Sequence, residues 1–118
     1  MNETLLFIIS LLNKCNIKRW FVMYGTLLGL VRENSCIDND DDIDIIIDKV
    51  YYDVIKTKLK AHNIEFEYSY GIRRSRKILK TKATSKYASI DIYMGDFSDN
   101  DVYDEWNKLN IKDCYFDK

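Results

Sequence analysis

The 118 residues contain no proline, one histidine, three cysteines and four glycines. Without proline, low-complexity stretches or internal repeats, nothing marks a linker or a domain boundary. Residues 1–118 therefore read as one domain, long enough to bury roughly two-thirds of the surface its unfolded chain exposes. The cysteines, Cys15, Cys36 and Cys114, are odd in number and widely spaced. They fit neither a disulfide framework nor a zinc site, and reduced thiols in a cytoplasmic protein are expected. No apolar run approaches the ~18 residues of a membrane span. The stretch Leu5 to Leu12 imitates a signal core, but Glu3 precedes it, no Lys or Arg lies in front, and no small-residue cleavage site follows, so it reads as part of the fold. Charge of one sign is lacking too. Eighteen Lys and Arg against nineteen Asp and Glu leave −1, which argues against nucleic acid as a partner.

Aspartate is plentiful. The chain has 14 Asp against 5 Glu, and six of the Asp lie between Asp38 and Asp48. The balance of 47% hydrophobic and 31% charged residues is that of an ordinary globular protein.

Leu5, Ile8, Ile9 and Leu12 follow helical spacing and predict a helix over 3–15. The apolar run Trp20 to Tyr24 predicts a buried strand ending at Gly25, and 26–32 a short helix. From Asp42 to Asp48 the residues alternate: Asp42, Asp44, Ile46 and Asp48 on one face, Ile43, Ile45 and Ile47 on the other. Tyr51, Val54, Ile55 and Leu59 predict a helix over 50–62. Ile64, Phe66, Tyr68 and Tyr70 predict a strand, Gly71 a turn, and the basic stretch 73–82 an outer strand. Ala88, Ile90, Ile92 and Met94 predict a further strand, and 101–109 a short helix. This order suits an α/β (α+β) two-layer domain, a mixed β-sheet with helices mainly on one face.

Asp42 and Asp44 stand ~6–7 Å apart along one strand face. Carboxylates so close resist ionising together unless a cation neutralises them. Hard oxygen ligands suit Mg²⁺ or Mn²⁺, and two such ions ~3.5–4 Å apart clamp a phosphoryl group and its nucleophile. Asp91, facing away from Ile90 and Ile92, is the candidate third carboxylate. For Asp38 to Asp41 a solvated loop is the plainer reading. For Asp42 and Asp44 it is weaker, because they sit in an isoleucine-rich strand where unpaired carboxylates cost stability. A calcium loop fails: in the register starting at Asp38, Ile43 stands where Gly is required and Lys49 where Glu is required. Gly25 and Thr26, at a strand-to-helix junction, offer N–H groups and a hydroxyl to phosphate oxygens.

Gly25-Thr26-Leu27-Leu28-Gly29, then Val31-Arg32, Ile37 and Asp40-Asp41-Asp42-Ile43-Asp44-Ile45, resembles the signature of the LicD/fukutin-related family of the nucleotidyltransferase fold superfamily. The match runs without insertion from Tyr24 to Ile45 and continues more loosely to Asp91. The resemblance implies metal-dependent transfer of a phospho-alcohol, phosphocholine or a polyol phosphate, from a CDP-linked donor to a glycan or other hydroxyl acceptor. It implies Mg²⁺ (or Mn²⁺) at Asp42, Asp44 and Asp91, with Asp40 supporting the metal's surroundings. Asp91 would also help deprotonate the acceptor. Gly25 and Thr26 would hold donor phosphates, and Arg32 would lie near the donor. The family usually has Pro and an aromatic residue where this chain has Asp38 and Asn39. Its members usually continue well past the third carboxylate, so a reduced acceptor side is expected here.

Arg73, Arg74, Arg76, Lys77, Lys80 and Lys82 form a basic cluster. One or two could clamp a pyrophosphate; otherwise they are the charges that keep an edge strand from aggregating. His62 reads as a surface or helix-capping residue, and Cys36, without a nearby His, as packing. One of the many tyrosines or tryptophans could stack on a cytosine. Two alternatives remain beside the phospho-alcohol transferase. One is a small nucleotidyltransferase moving NMP from an NTP to a protein or small molecule. The other is a non-catalytic binding module that keeps the fold.

Overall fold

The computed structural model describes residues 3–22, 43–67, 76–98 and 101–111. Helix α1 spans Glu3–Lys14, strand β1 Trp20–Val22 and strand β2 Ile43–Asp48. A 3-10 turn over Lys49–Tyr51 leads into helix α2, Tyr52–Ala61. Strands β3 (Ile78–Lys80), β4 (Ile90–Phe97), β5 (Val102–Asp104) and β6 (Leu109–Asn110) follow. The expected helix over 26–32, the Gly71 turn and the ends of the expected strands at 23–24 and 68–70 lie outside the described residues.

Both helices stop in the same way. Asn16 and Asn63 adopt φ of 60° and 63°, the left-handed conformation that asparagine tolerates better than most residues. After α1, Asn16 N–H donates to Asn13 O (3.1 Å) and Ile17 N–H to Leu12 O (2.9 Å). After α2, Asn63 N–H donates to Lys60 O (3.0 Å) and Ile64 N–H to Leu59 O (3.1 Å). This is the Schellman pattern, closed each time by an apolar contact position. Ile17 and Leu12, and Ile64 and Leu59, are all buried in the main core. The repeated Leu-x-x-x-Asn-Ile is its signature in the chain.

The sheet order is β1-β2-β4-β5-β6, with β3 also paired to β4. β2 and β4 run parallel, which requires a crossover, and α2 lies within it. β2 occupies one edge of β4; β3 and β5 share the other, beside Asp91–Tyr93 and Gly95–Phe97 respectively. Ile43, Ile45 and Ile47 of β2 and Ile90, Ile92 and Met94 of β4 are at most 1% exposed and pack with Leu5, Ile8, Leu12, Ile55 and Leu59 of the helices. The helices thus lie on one face of a mixed sheet, as the alternation in 42–48 and 88–94 requires. Among the described residues, no helix is long and apolar enough to cross a membrane, and the stretch Leu5 to Leu12 lies within α1.

Four expectations change. The strand expected to be buried, β1, is half-buried at each of Trp20, Phe21 and Val22. The 101–109 segment forms a hairpin rather than a helix. Val102 and Tyr103 favour a strand, and the buried Asp104 organises the turn. Its Oδ1 accepts from Trp106 N–H (3.0 Å) and Asn107 N–H (3.1 Å), and its Oδ2 from Asn107 Nδ2 (2.8 Å). The expected strand at 64–70 is reduced, in its described part, to one bridge, Phe66 with Thr81. In α2, Val54 is 41% exposed, and Tyr52, 2% exposed, takes the core position instead.

A smaller cluster, Ile46 and Ile111 with Phe21, Tyr93, Phe97 and Val102, covers part of the sheet face away from the helices. Gly95 sits in its path. A Cβ there would meet Val102 Cγ1 at 2.8 Å, and Ile46 Cδ1 and Phe97 Cε1 at 2.9 Å. Gly95→Ala should therefore cost about 1–3 kcal/mol, the usual range for overpacking. Adding Ile46→Val, which removes one of the three contacts, should recover part of that loss. Urea unfolding of the two variants checks this; an Ala variant as stable as the wild type would contradict it.

Candidate functional site

The face away from the helices carries the charged row. By alternation, Asp44, Ile46 and Asp48 of β2 share that face with Asp91, Tyr93, Gly95 and Phe97 of β4. The parallel register sets Asp44 beside Asp91, and the antiparallel β3–β4 register sets Lys80 beside Asp91 on the other side. Asp44, Asp91 and Lys80 thus form a row across three neighbouring strands, each step about 4.8 Å.

Lys80 Nζ donates to Asp91 Oδ1 at 2.8 Å, with the two side chains 22% and 13% exposed. A charge-assisted bond of this length, partly withdrawn from water, is stronger than a surface ion pair. Two unit charges of like sign 5 Å apart repel by roughly 3 kcal/mol at an effective dielectric near 20. That is a large share of the ~5–15 kcal/mol by which a domain is stable, so positive charge near Asp44 and Asp91 lowers the cost of holding them side by side. Lys80 supplies such a charge.

Tyr93, two residues beyond Asp91, lies on the same face and donates its hydroxyl to Asp44 Oδ1 at 3.4 Å. Burial raises its phenol well above the ordinary tyrosine range, and the negative charges of Asp44, Asp91 and Asp104 raise it further. Tyr93 therefore stays a neutral donor beside the carboxylates. In the sequence Tyr93 is one residue of an alternating strand. The signal that marks it is its even spacing from Asp91.

The remaining acid of β2 is structural. Asp48 accepts from Val50 N–H (3.2 Å), capping the 3-10 turn, and pairs with Arg19 Nε at 2.9 Å. It lies about 13 Å along the strand from Asp44. The basic cluster divides. Arg76 pairs with Asp53 of α2 (2.9 Å) and stacks 4.1 Å above the Tyr52 ring, and Lys82 faces Glu65 (3.7 Å). Lys80 is bonded to a carboxylate of the row. His62 caps α2 through its N–H on Leu59 O (3.0 Å) and meets the Phe7 ring edge-on at 5.3 Å. Arg73, Arg74, Cys36, Asp38 to Asp41 and, from the expected site, Gly25, Thr26, Arg32 and Asp42 lie outside the described residues. Among the described residues, no three His, Cys, Asp or Glu side chains gather as a metal cluster.

The neutral Tyr93 sets a pH dependence. In the unfolded chain this phenol ionises near pH 10, whereas in the folded chain it holds its proton higher. Its contribution is therefore complete below pH 10 and lost as pH rises above it. In EDTA, the stability difference between wild type and Tyr93→Phe should shrink by about 1 kcal/mol between pH 10 and 11. Urea unfolding at both pH values measures it, and a constant difference would contradict the assignment.

The architecture is similar to that of a solved protein, the lincosamide antibiotic adenylyltransferase LnuA in its lincomycin-bound crystal structure. The TM-score is 0.67 at 17% sequence identity, over 93% of this chain and 66% of that one. The chain thus spans just under two thirds of that protein's length. No curated protein sequence matches the chain. The family described as LicD/FKTN/FKRP, nucleotidyltransferase domain, matches residues 16–118. With the mixed sheet, the helices on one face and the charged row on the other, the chain belongs to the LicD/FKTN/FKRP family and carries the nucleotidyltransferase fold.

Proposed function

We propose that this chain is a metal-dependent transferase that moves a phospho-alcohol from a CDP-linked donor to a glycan or other hydroxyl acceptor, releasing CMP. The observation that most supports this reading is the side-by-side position of Asp44 and Asp91 on parallel strands, in a chain of this family.

The donor set fits a divalent ion. Asp44 and Asp91 are hard oxygen donors set side by side. Asp42, Asp44 and Asp91 would hold Mg²⁺ or Mn²⁺, with Asp40 supporting them. When bound, that ion supplies positive charge to the pyrophosphate and acidifies the acceptor hydroxyl. Gly25 N–H and the Thr26 hydroxyl hold donor phosphate oxygens, with Arg32 near the donor. Asp91 takes the proton of the acceptor hydroxyl as its oxygen bonds to the distal phosphorus. The bond from that phosphorus to the bridging oxygen breaks, and CMP leaves with the bonding electrons. Tyr93 keeps Asp44 oriented by its hydroxyl. The reading sets this chemistry in the cytoplasm, in keeping with Cys15 as a free thiol.

The likeness to an adenylyltransferase favours one second reading, transfer of NMP from an NTP. Its product is pyrophosphate rather than CMP.

Thermal unfolding of the wild type and of Asp42→Asn/Asp44→Asn, with Mn²⁺ or Mg²⁺ and CTP, ATP, CDP-choline or CDP-ribitol, tests the reading. A ligand at 100 times its Kd adds ~2.7 kcal/mol, a rise of several degrees in a domain of this size. A metal-dependent rise with a CDP-alcohol, absent in the double variant, is expected, with CMP released once an acceptor is supplied. Release of pyrophosphate from an NTP would favour the second reading. A cooperatively folded protein that no nucleotide stabilises would contradict both and leave a non-catalytic binding module.

A further inference from the structure

Lys80 belongs to the basic cluster, is bonded to the charged row, and stands directly across from Asp91 in the β3–β4 register. Arg76 and Lys82 are held by Asp53 and Glu65 instead. We propose that Lys80 is the exchangeable counter-ion of Asp91. It neutralises the carboxylate before loading, and moves to the phosphate chain of the nucleotide when a divalent ion takes its place. This rests on the reading of the acidic row as a metal and nucleotide site.

The geometry argues for exchange. Nζ lies 2.8 Å from Asp91 Oδ1, so a divalent ion on the same carboxylate would stand within a few ångströms of an ammonium. Two positive charges at that range repel strongly where water is partly excluded. An ammonium on a four-carbon stem can swing away, and it binds phosphate as a point charge without the rigid fork of an arginine. The nearest negative groups introduced by a donor are its phosphates. Lys80 then opposes the metal when the metal binds alone, and ceases to oppose it when a nucleotide is present. Metal and nucleotide should therefore bind with positive coupling, each tightening the other by the same factor.

Calorimetric titration of the full chain with Mn²⁺, alone and with CDP-choline or ATP, tests this. Lys80→Met keeps the stem and removes the charge. It should bind Mn²⁺ alone several-fold more tightly than the wild type, and bind the nucleotide about tenfold more weakly at saturating Mn²⁺. Lys80→Arg, whose fork grips a carboxylate more firmly, should shift Mn²⁺ affinity the opposite way, and it provides the test if the Met variant fails to fold. If the wild type binds Mn²⁺ and nucleotide but Lys80→Met matches it or binds Mn²⁺ more weakly, Lys80 is a structural partner only. If folded wild type binds neither, the metal-site reading falls and this role falls with it.

Discussion

The parallel register between β2 and β4 is the constraint on which the molecule turns. It sets Ile43, Ile45 and Ile47 beside Ile90, Ile92 and Met94, and the same register sets Asp44 beside Asp91. The two consequences are inseparable, because side chains alternate with a period of two. A slip of one residue would carry the isoleucines out of the core and the carboxylates into it. Six isoleucine and methionine side chains, each at most 1% exposed, contribute on the order of 10 kcal/mol at ~1.5–3 kcal/mol apiece. That outweighs the roughly 3 kcal/mol by which two neighbouring carboxylates resist their position. The helices hold the acids together by packing the other face.

Most of the architecture was legible because its pattern is short-range. The period-two alternation at 42–48 and 88–94 identifies both central strands and assigns every residue to a face. The helical spacing of Leu5, Ile8 and Leu12 does the same for α1. What failed depends on longer-range partners. Residues 101–109 carry no clean periodicity, and Val102–Asp104 form a strand by pairing with Gly95–Phe97, with Asp104 holding the turn that follows. The Phe66 segment alternates correctly, yet in its described part it pairs through one bridge with Thr81. In α2 the buried stripe is Tyr52, Ile55 and Leu59, spaced i, i+3 and i+7, and Val54 falls beside it.

The candidate site was legible in part. Asp44 and Asp91 stand out in the sequence as carboxylates inside isoleucine-rich strands, although their adjacency needs the parallel pairing. Lys80 could not be separated from Arg76 and Lys82 by composition, because all three belong to one basic run. Antiparallel register distinguishes them: one position faces Asp91, while the others turn to α2 and to Glu65. Tyr93 and Gly95 were hidden for the opposite reason. Tyr93 carries only its even spacing from Asp91 as a signal, and the close approach of Val102 to Gly95 is not written locally at all. The row of Asp44, Asp91 and Lys80, with Tyr93 kept neutral beside it, is a site that we propose a divalent ion and a nucleotide complete.

Diffraction from a crystal of the chain grown with Mn²⁺ and CDP-choline, recorded for the anomalous signal of manganese, tests that claim most directly. The account predicts a manganese peak between the carboxylates of Asp44 and Asp91, with Lys80 Nζ withdrawn from Asp91 Oδ1. A crystal with manganese elsewhere, or with the Lys80–Asp91 pair intact beside an ordered nucleotide, would contradict it.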